Sequence, residues 1–161
     1  FSPADCQDEA RLKETLAEFS RYYGAHNLDK TAPYDGIPAL LERLRARGVC
    51  LAVYSNKADD FSQVIIRHFF DGVFHLVRGK LPGVPVKPDP TVVREIMRDL
   101  DASYLSAMMV GDSSVDIQTG HNAGIKACGV TWGFRSRESL VEAAADAIAD
   151  TPAELGKLLL G

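Results

Sequence analysis

The sequence predicts an α/β fold, a doubly wound, Rossmann-like parallel sheet flanked by helices. Two observations predict it. From residue 37 onward, short apolar runs alternate with amphipathic segments of helical period, and such alternation implies parallel pairing through right-handed crossovers. Three polar groups, Ser55-Asn56-Lys57, Lys87-Pro88 and Asp112 with Asp116, follow strand or loop segments. They converge on the carboxyl edge of the sheet, where an open α/β sheet binds its ligands.

The elements can be justified in order. Residues 8–30 read as one helix, with Leu12, Leu16, Phe19 and Tyr23 at helical spacing. This segment stands outside the alternation and is more polar, as a surface or cap helix would be. The turn at residues 33–36, from Pro33 to Gly36, is a hinge candidate. Residues 37–47 form an amphipathic helix stopped by Gly48, and residues 49–54 a short apolar strand. A helix over 59–68 and a strand over 73–77 follow. Residues 90–100 are a helix with Pro90 near its first turn. Next come a strand over 107–110, a helix over 115–123 and a strand over 126–130. A helix over 138–145, a brief strand over 147–149 and a helix over 152–160 close the chain.

At 161 residues the chain is long enough for one domain with a proper core and a small appendage. The expected division is residues 1–33, the remnant of a helical cap, and residues 34–161, the α/β core. A hydrophobic content of 46% with 25% charged residues is ordinary for a soluble globular protein. The net charge is −4, and Lys and Arg form no basic stripe. Both facts argue against nucleic acid or an anionic membrane as partner. No apolar run reaches the roughly 18 residues of a transmembrane helix, and the first residues lack a secretory-signal layout. Cys6, Cys50 and Cys128 are odd in number and form no Cys-x-x-Cys pair, so buried free thiols in a reducing cytoplasm are expected.

The chemistry centres on Asp112 and Asp116. The apolar run 107–110 ends in Gly111-Asp112, and a second carboxylate follows one helical turn on. Carboxylates so placed suit Mg²⁺, which keeps several waters and takes one or two protein carboxylates. Asp116 capping its helix, with Asp112 an exposed loop acid, is the plainer alternative. Ser55, with the backbone N–H groups of Asn56 and Lys57, could cradle a phosphate or simply cap a helix. Lys87, stiffened by Pro88 and Pro90, could neutralise a transferring phosphoryl group or be solvated. His26, His68, His75 and His121 lack metal-ligand spacing and read as surface or packing residues. The stretch 132–137, Trp-Gly-Phe-Arg-Ser-Arg, either borders the crevice or packs the following helix.

Taken in this order, Ser55, Lys87 and Asp112 with Asp116 resemble the second, third and fourth motifs of the haloacid dehalogenase superfamily of phosphatases. The stretches 30–37, 55–57, 87–90, 111–113 and 129–138 are similar to those of its bacterial phosphoglycolate phosphatase branch. The resemblance covers essentially the whole chain. It departs at one point: nothing here matches the first motif, an apolar strand ending in Asp-x-Asp that supplies nucleophile and general acid. Asp5 and Asp8 have no apolar strand before them, and the chain begins at Phe1. A cleaved or truncated N-terminal piece is therefore expected, and the first part of the cap also falls short.

The resemblance implies a cytoplasmic, Mg²⁺-dependent phosphatase acting on a small phosphorylated metabolite, 2-phosphoglycolate in the first instance. The missing Asp would form an aspartyl-phosphate. Asp112 would hold Mg²⁺; Ser55, Asn56 and Lys57 would bind the substrate. Lys87 would hold nucleophile and phosphate together, and Asp116 would orient Lys87 or a metal-bound water. A core without its central strand leaves two unpaired edges. It would recruit that segment, dimerise through the gap or repack. Alone, the chain is expected to be inactive. A dehalogenase or phosphomutase on the same scaffold, and a non-catalytic binding protein, are the alternatives.

Overall fold

A computed structural model describes residues 9–161. The chain divides before Pro33. On the N-terminal side, α1 (Glu9–His26) buries none of its residues, and Leu12, Leu16 and Phe19 are exposed. Phe19 stacks on Tyr23 with ring centroids 5.4 Å apart, and Glu18 pairs with Arg21 at 2.7 Å. The helix ends four residues before the expected position, and residues 27–30 form a turn in which His26 bonds Asp29.

The C-terminal unit alternates throughout: α2 (Ile37–Ala46), β1 (Ala52–Ala58), α3 (Asp59–Phe70), β2 (Leu76–Lys80), α4 (Thr91–Asp99), β3 (Met108–Gly111), α5 (Ser114–Ala123), β4 (Lys126–Val130), α6 (Arg137–Glu142), β5 (Ala147–Ala149) and α7 (Pro152–Leu160). All strand pairs are parallel. The expected α/β architecture is therefore present. Its first two strands begin three residues later than the apolar runs suggested. Val49 and Leu51 do pack on the core, but the strand continues past Tyr54 through the polar Ser55-Asn56-Lys57 to Ala58. Likewise Val73 closes a turn onto Phe70, and pairing starts beyond it.

Strand β4 shows why a parallel sheet reads as a continuous apolar run. Cys128 and Val130 face a cluster with Leu40 and Leu44 of α2 and Leu155 of α7. Ala127 faces the other side, against Ile117 of α5 and Leu140 of α6. A third cluster joins Val93 and Met97 of α4 to Ala123 and Ile125, with Tyr54 of β1 and Met109 of β3 at its margin. Helices thus cover both faces. Cys128 is fully buried, and burial pushes its thiol pKa up. Cys50, expected to be buried, is exposed; it lies between inward-packed Val49 and Leu51, and alternation turns it outward. Cys6, like Asp5 and Asp8, lies outside the described residues.

The strands form two sheets, β1-β2 and β3-β4-β5. Among the described residues one edge of β1 and one edge of β3 carry no strand, and Tyr54 of β1 and Met109 of β3 pack on the same cluster. Neither strand contains a fully buried residue, whereas four of the five residues of β4 are buried. That contrast follows from position, since β4 is paired on both sides and β1 and β3 lie at sheet edges.

Candidate active site

All the polar groups singled out from the sequence lie at the carboxyl ends of β1 and β3 and in the loop before α4. On β1 the register passes from Tyr54↔Arg78 to Ala58↔Lys80. Four steps on one strand thus oppose two on the other, and residues 55–57 bulge from the ladder. Bulges re-aim side chains at strand ends. The Lys57 N–H donates to Ser55 Oγ at 3.1 Å, which leaves the hydroxyl proton of Ser55 available to an anionic ligand.

The Asn56 side chain turns the other way. Its Oδ1 accepts from the Lys87 N–H at 2.9 Å, and its Nδ2 donates to the Lys87 carbonyl at 3.3 Å. Both main-chain groups of Lys87 are therefore tied to the bulge. Sequence reasoning assigned Asn56 to ligand binding through its N–H and missed this side-chain role, for which the primary structure carries no signal. The Tyr54 hydroxyl donates to the Pro85 carbonyl at 3.3 Å, and its ring lies 5.6 Å from Lys87 Nζ. Burial, and then the charge of Asp89, push the Tyr54 pKa up.

Lys87 Nζ reaches Asp116 Oδ1 at 2.6 Å, with the side chains only 13% and 7% exposed. Asp116 is also the third residue of α5 in a capping box. Its N–H donates to Ser113 Oγ at 3.4 Å, and its Oδ2 accepts from the Ser113 N–H at 3.1 Å and the Ser113 hydroxyl at 2.6 Å. The plain capping role and the Lys87 partnership thus coexist in one carboxylate. The close fold-back of Asp116 needs Gly111: a Cβ there would stand 2.2 Å from Asp116 Cβ.

Asp112 lies between Gly111, the end of β3, and Ser113, the cap of α5. Its Oδ2 accepts from the Phe134 N–H at 2.8 Å, and its Oδ1 has no hydrogen bond among the described residues. Asp116 has both oxygens engaged, so Asp112 is the carboxylate of the pair left for a cation. No group of three or more His, Cys, Asp or Glu that could hold a metal occurs among the described residues. One open carboxylate oxygen fits Mg²⁺ as part of a site, because that ion retains waters and shares phosphate oxygens. Asp112 would hold the ion, which would supply charge neutralisation at a phosphoryl group.

The four histidines lie elsewhere: His26 on Asp29, His68 against Phe69, His75 accepting from the Leu51 N–H, and His121 on Asp146.

A serine-bearing bulge, a buried lysine and a carboxylate with one open oxygen at the ends of parallel strands agree with the comparisons to known proteins. Residues 4–130 match the model of the haloacid dehalogenase-like hydrolases. The chain belongs to that family. It is 32% identical over 148 residues to a phosphoglycolate phosphatase of Aquifex aeolicus, covering 91% of this chain and 68% of the relative. It is also 32% identical over 158 residues to one of Rhodospirillum rubrum, covering 97% and 65%. A crystal structure from Lactobacillus delbrueckii subsp. bulgaricus, assigned as a phosphoglycolate phosphatase, superposes with a TM-score of 0.89 at 35% identity. It covers 98% of this chain and 66% of that one. The chain thus spans about two thirds of the length of these relatives. Among the described residues no helix is long and apolar enough to cross a membrane.

Proposed function

We propose that the protein is a Mg²⁺-dependent phosphatase that hydrolyses a small phosphorylated metabolite, 2-phosphoglycolate first among them, in the cytoplasm. The observation that carries this is the buried Lys87–Asp116 pair, tied through Asn56 to the Ser55 bulge. The pair keeps a cation in place beside an anion cradle and a free carboxylate, as phosphoryl transfer requires.

In this reading Ser55 Oγ donates to one phosphoryl oxygen, with the Asn56 N–H and Lys57 beside it. Lys87 offsets the charge shared by the phosphate and the attacking carboxylate, and Asp116 keeps Lys87 aimed. Asp112 holds Mg²⁺. The attacking carboxylate comes from outside the described residues, at the tip of an apolar strand seated between β1 and β3; it bonds to phosphorus as the ester P–O bond breaks, the alcohol leaves with a proton, and water then cleaves the acyl-phosphate to inorganic phosphate and the free carboxylate. Residues 9–32 belong to a helical cap that selects the substrate.

Phosphate release from 2-phosphoglycolate by the natural protein, with Mg²⁺ and with EDTA, tests this. Release should require Mg²⁺, fall about 100-fold or more in Lys87→Ala and about tenfold in Ser55→Ala, and be absent from residues 1–161 alone. Turnover that survives EDTA would remove the metal from the mechanism. Failure on every phosphomonoester tried would leave a binding protein.

A further inference from the structure

We infer that residues 131–137, the loop between β4 and α6, form a strap whose main chain orients Asp112. The inference rests on the cation role proposed for Asp112. Both ends of the strap are held by a single carboxylate: the Thr131 hydroxyl donates to Asp150 Oδ1 at 3.0 Å, and Arg137 Nη1 donates to Asp150 Oδ2 at 2.6 Å. Asp150 is itself steadied, its N–H donating to Glu154 Oε2 at 2.8 Å. Trp132 packs against the cluster of Leu40, Cys128 and Val130, which fixes the depth of the loop.

Gly133 follows, with its backbone pressed on Asp112. A Cβ at Gly133 would lie 2.2 Å from Asp112 Cβ and 2.3 Å from its Oδ2, closer than atoms can approach. The next N–H, that of Phe134, donates to that same Oδ2 at 2.8 Å. The Phe134 ring is 92% exposed, so the loop serves the site with its backbone and not with this side chain. The Gly133 contact restricts the rotamer of Asp112, and the Phe134 N–H takes one oxygen and leaves the other outward. One oxygen offered singly by a hydrogen-bonded carboxylate is the arrangement that outer partners impose on metal ligands. Gly133, the Phe134 N–H and Asp150 are positioning groups, acting on the cation through Asp112.

The test is a titration of ¹⁵N-labelled protein with Mn²⁺, a paramagnetic ion of the same carboxylate preference as Mg²⁺, followed by line broadening of individual amides. In the wild type, the amides of residues 111–114 and 134 should broaden first. Gly133→Ala should need about tenfold more Mn²⁺ for the same broadening, while Phe134→Ala, which keeps the N–H, should titrate within about twofold of the wild type. Equal titration of Gly133→Ala and wild type would overturn the strap while sparing the cation reading. A wild type without broadening at Asp112 would overturn both. Should Gly133→Ala fail to fold, Asp150→Ala replaces it, since Asp150 and its partner Arg137 are both half exposed. The Phe134 amide should then exchange with solvent about tenfold faster, and unchanged exchange would sink the inference.

Discussion

Asn56 has both ends of its amide on the main chain of Lys87, so its effect on catalysis passes through the lysine. Asn56→Ala should cost about 1 kcal/mol of stability, because the site is exposed and water replaces part of what is lost. It should lower kcat about tenfold with little change in KM, since misplacement and not substrate contact is what changes; steady-state kinetics on the natural protein separates the two. Lys87→Met acts differently. It strands the buried Asp116 carboxylate, 7% exposed, with Ser113 as its one remaining partner among the described residues. A loss of about 3 kcal/mol in urea unfolding is expected, and a loss below about 1 kcal/mol would show that the pair adds little. Spacing alone brought Asp112 and Asp116 to the start of one helix. It does not carry the partner of each carboxylate, because Lys87 and Phe134 arrive from loops whose course depends on the tertiary fold.

At the scale of elements, α5 is joined to the sheet by Asp146, which accepts from the Ala127 N–H at 2.8 Å and bonds His121 at 3.0 Å. The Ala127 bond first, then His121, holds the Asp146 carboxyl below the usual carboxylate range. Its stabilising effect is therefore complete above about pH 4 and lost as the pH falls through the depressed value. Asp146→Ala leaves the N–H of fully buried Ala127 unpaired and should cost about 1 kcal/mol at pH 7. The gap from wild type in urea midpoints should narrow on going to pH 3; a gap constant with pH would show that charge plays no part. The helices were legible to within a residue or two where Gly or Pro punctuates them, as at Gly124 and Pro152, because those residues act locally. The starts of β1 and β2 were not. Apolar character marks what is buried, and Val49 and Val73 are partly buried without being paired, whereas strand limits follow the neighbouring ladder.

For the whole molecule, the division of the strands into two sheets has a direct signature. Amides along the outer edges of β1 and β3 should exchange with solvent about 100-fold faster than those of β4, which is paired on both sides. Hydrogen exchange read residue by residue checks this, and equal protection would mean that these edges are covered in solution. The alternating architecture was legible because every crossover buries an apolar stripe. The strap at residues 131–137 was not, because its contribution is made by backbone. The strand that the proposed function seats between β1 and β3 would have a thermodynamic consequence. It would bind the folded chain and not the unfolded one, so folding and catalytic competence would share one equilibrium. A synthetic peptide of that strand at 100 times its dissociation constant would stabilise residues 1–161 by about 2.7 kcal/mol. The melting temperature of this chain would thus become an assay for the strand that the proposed function calls for.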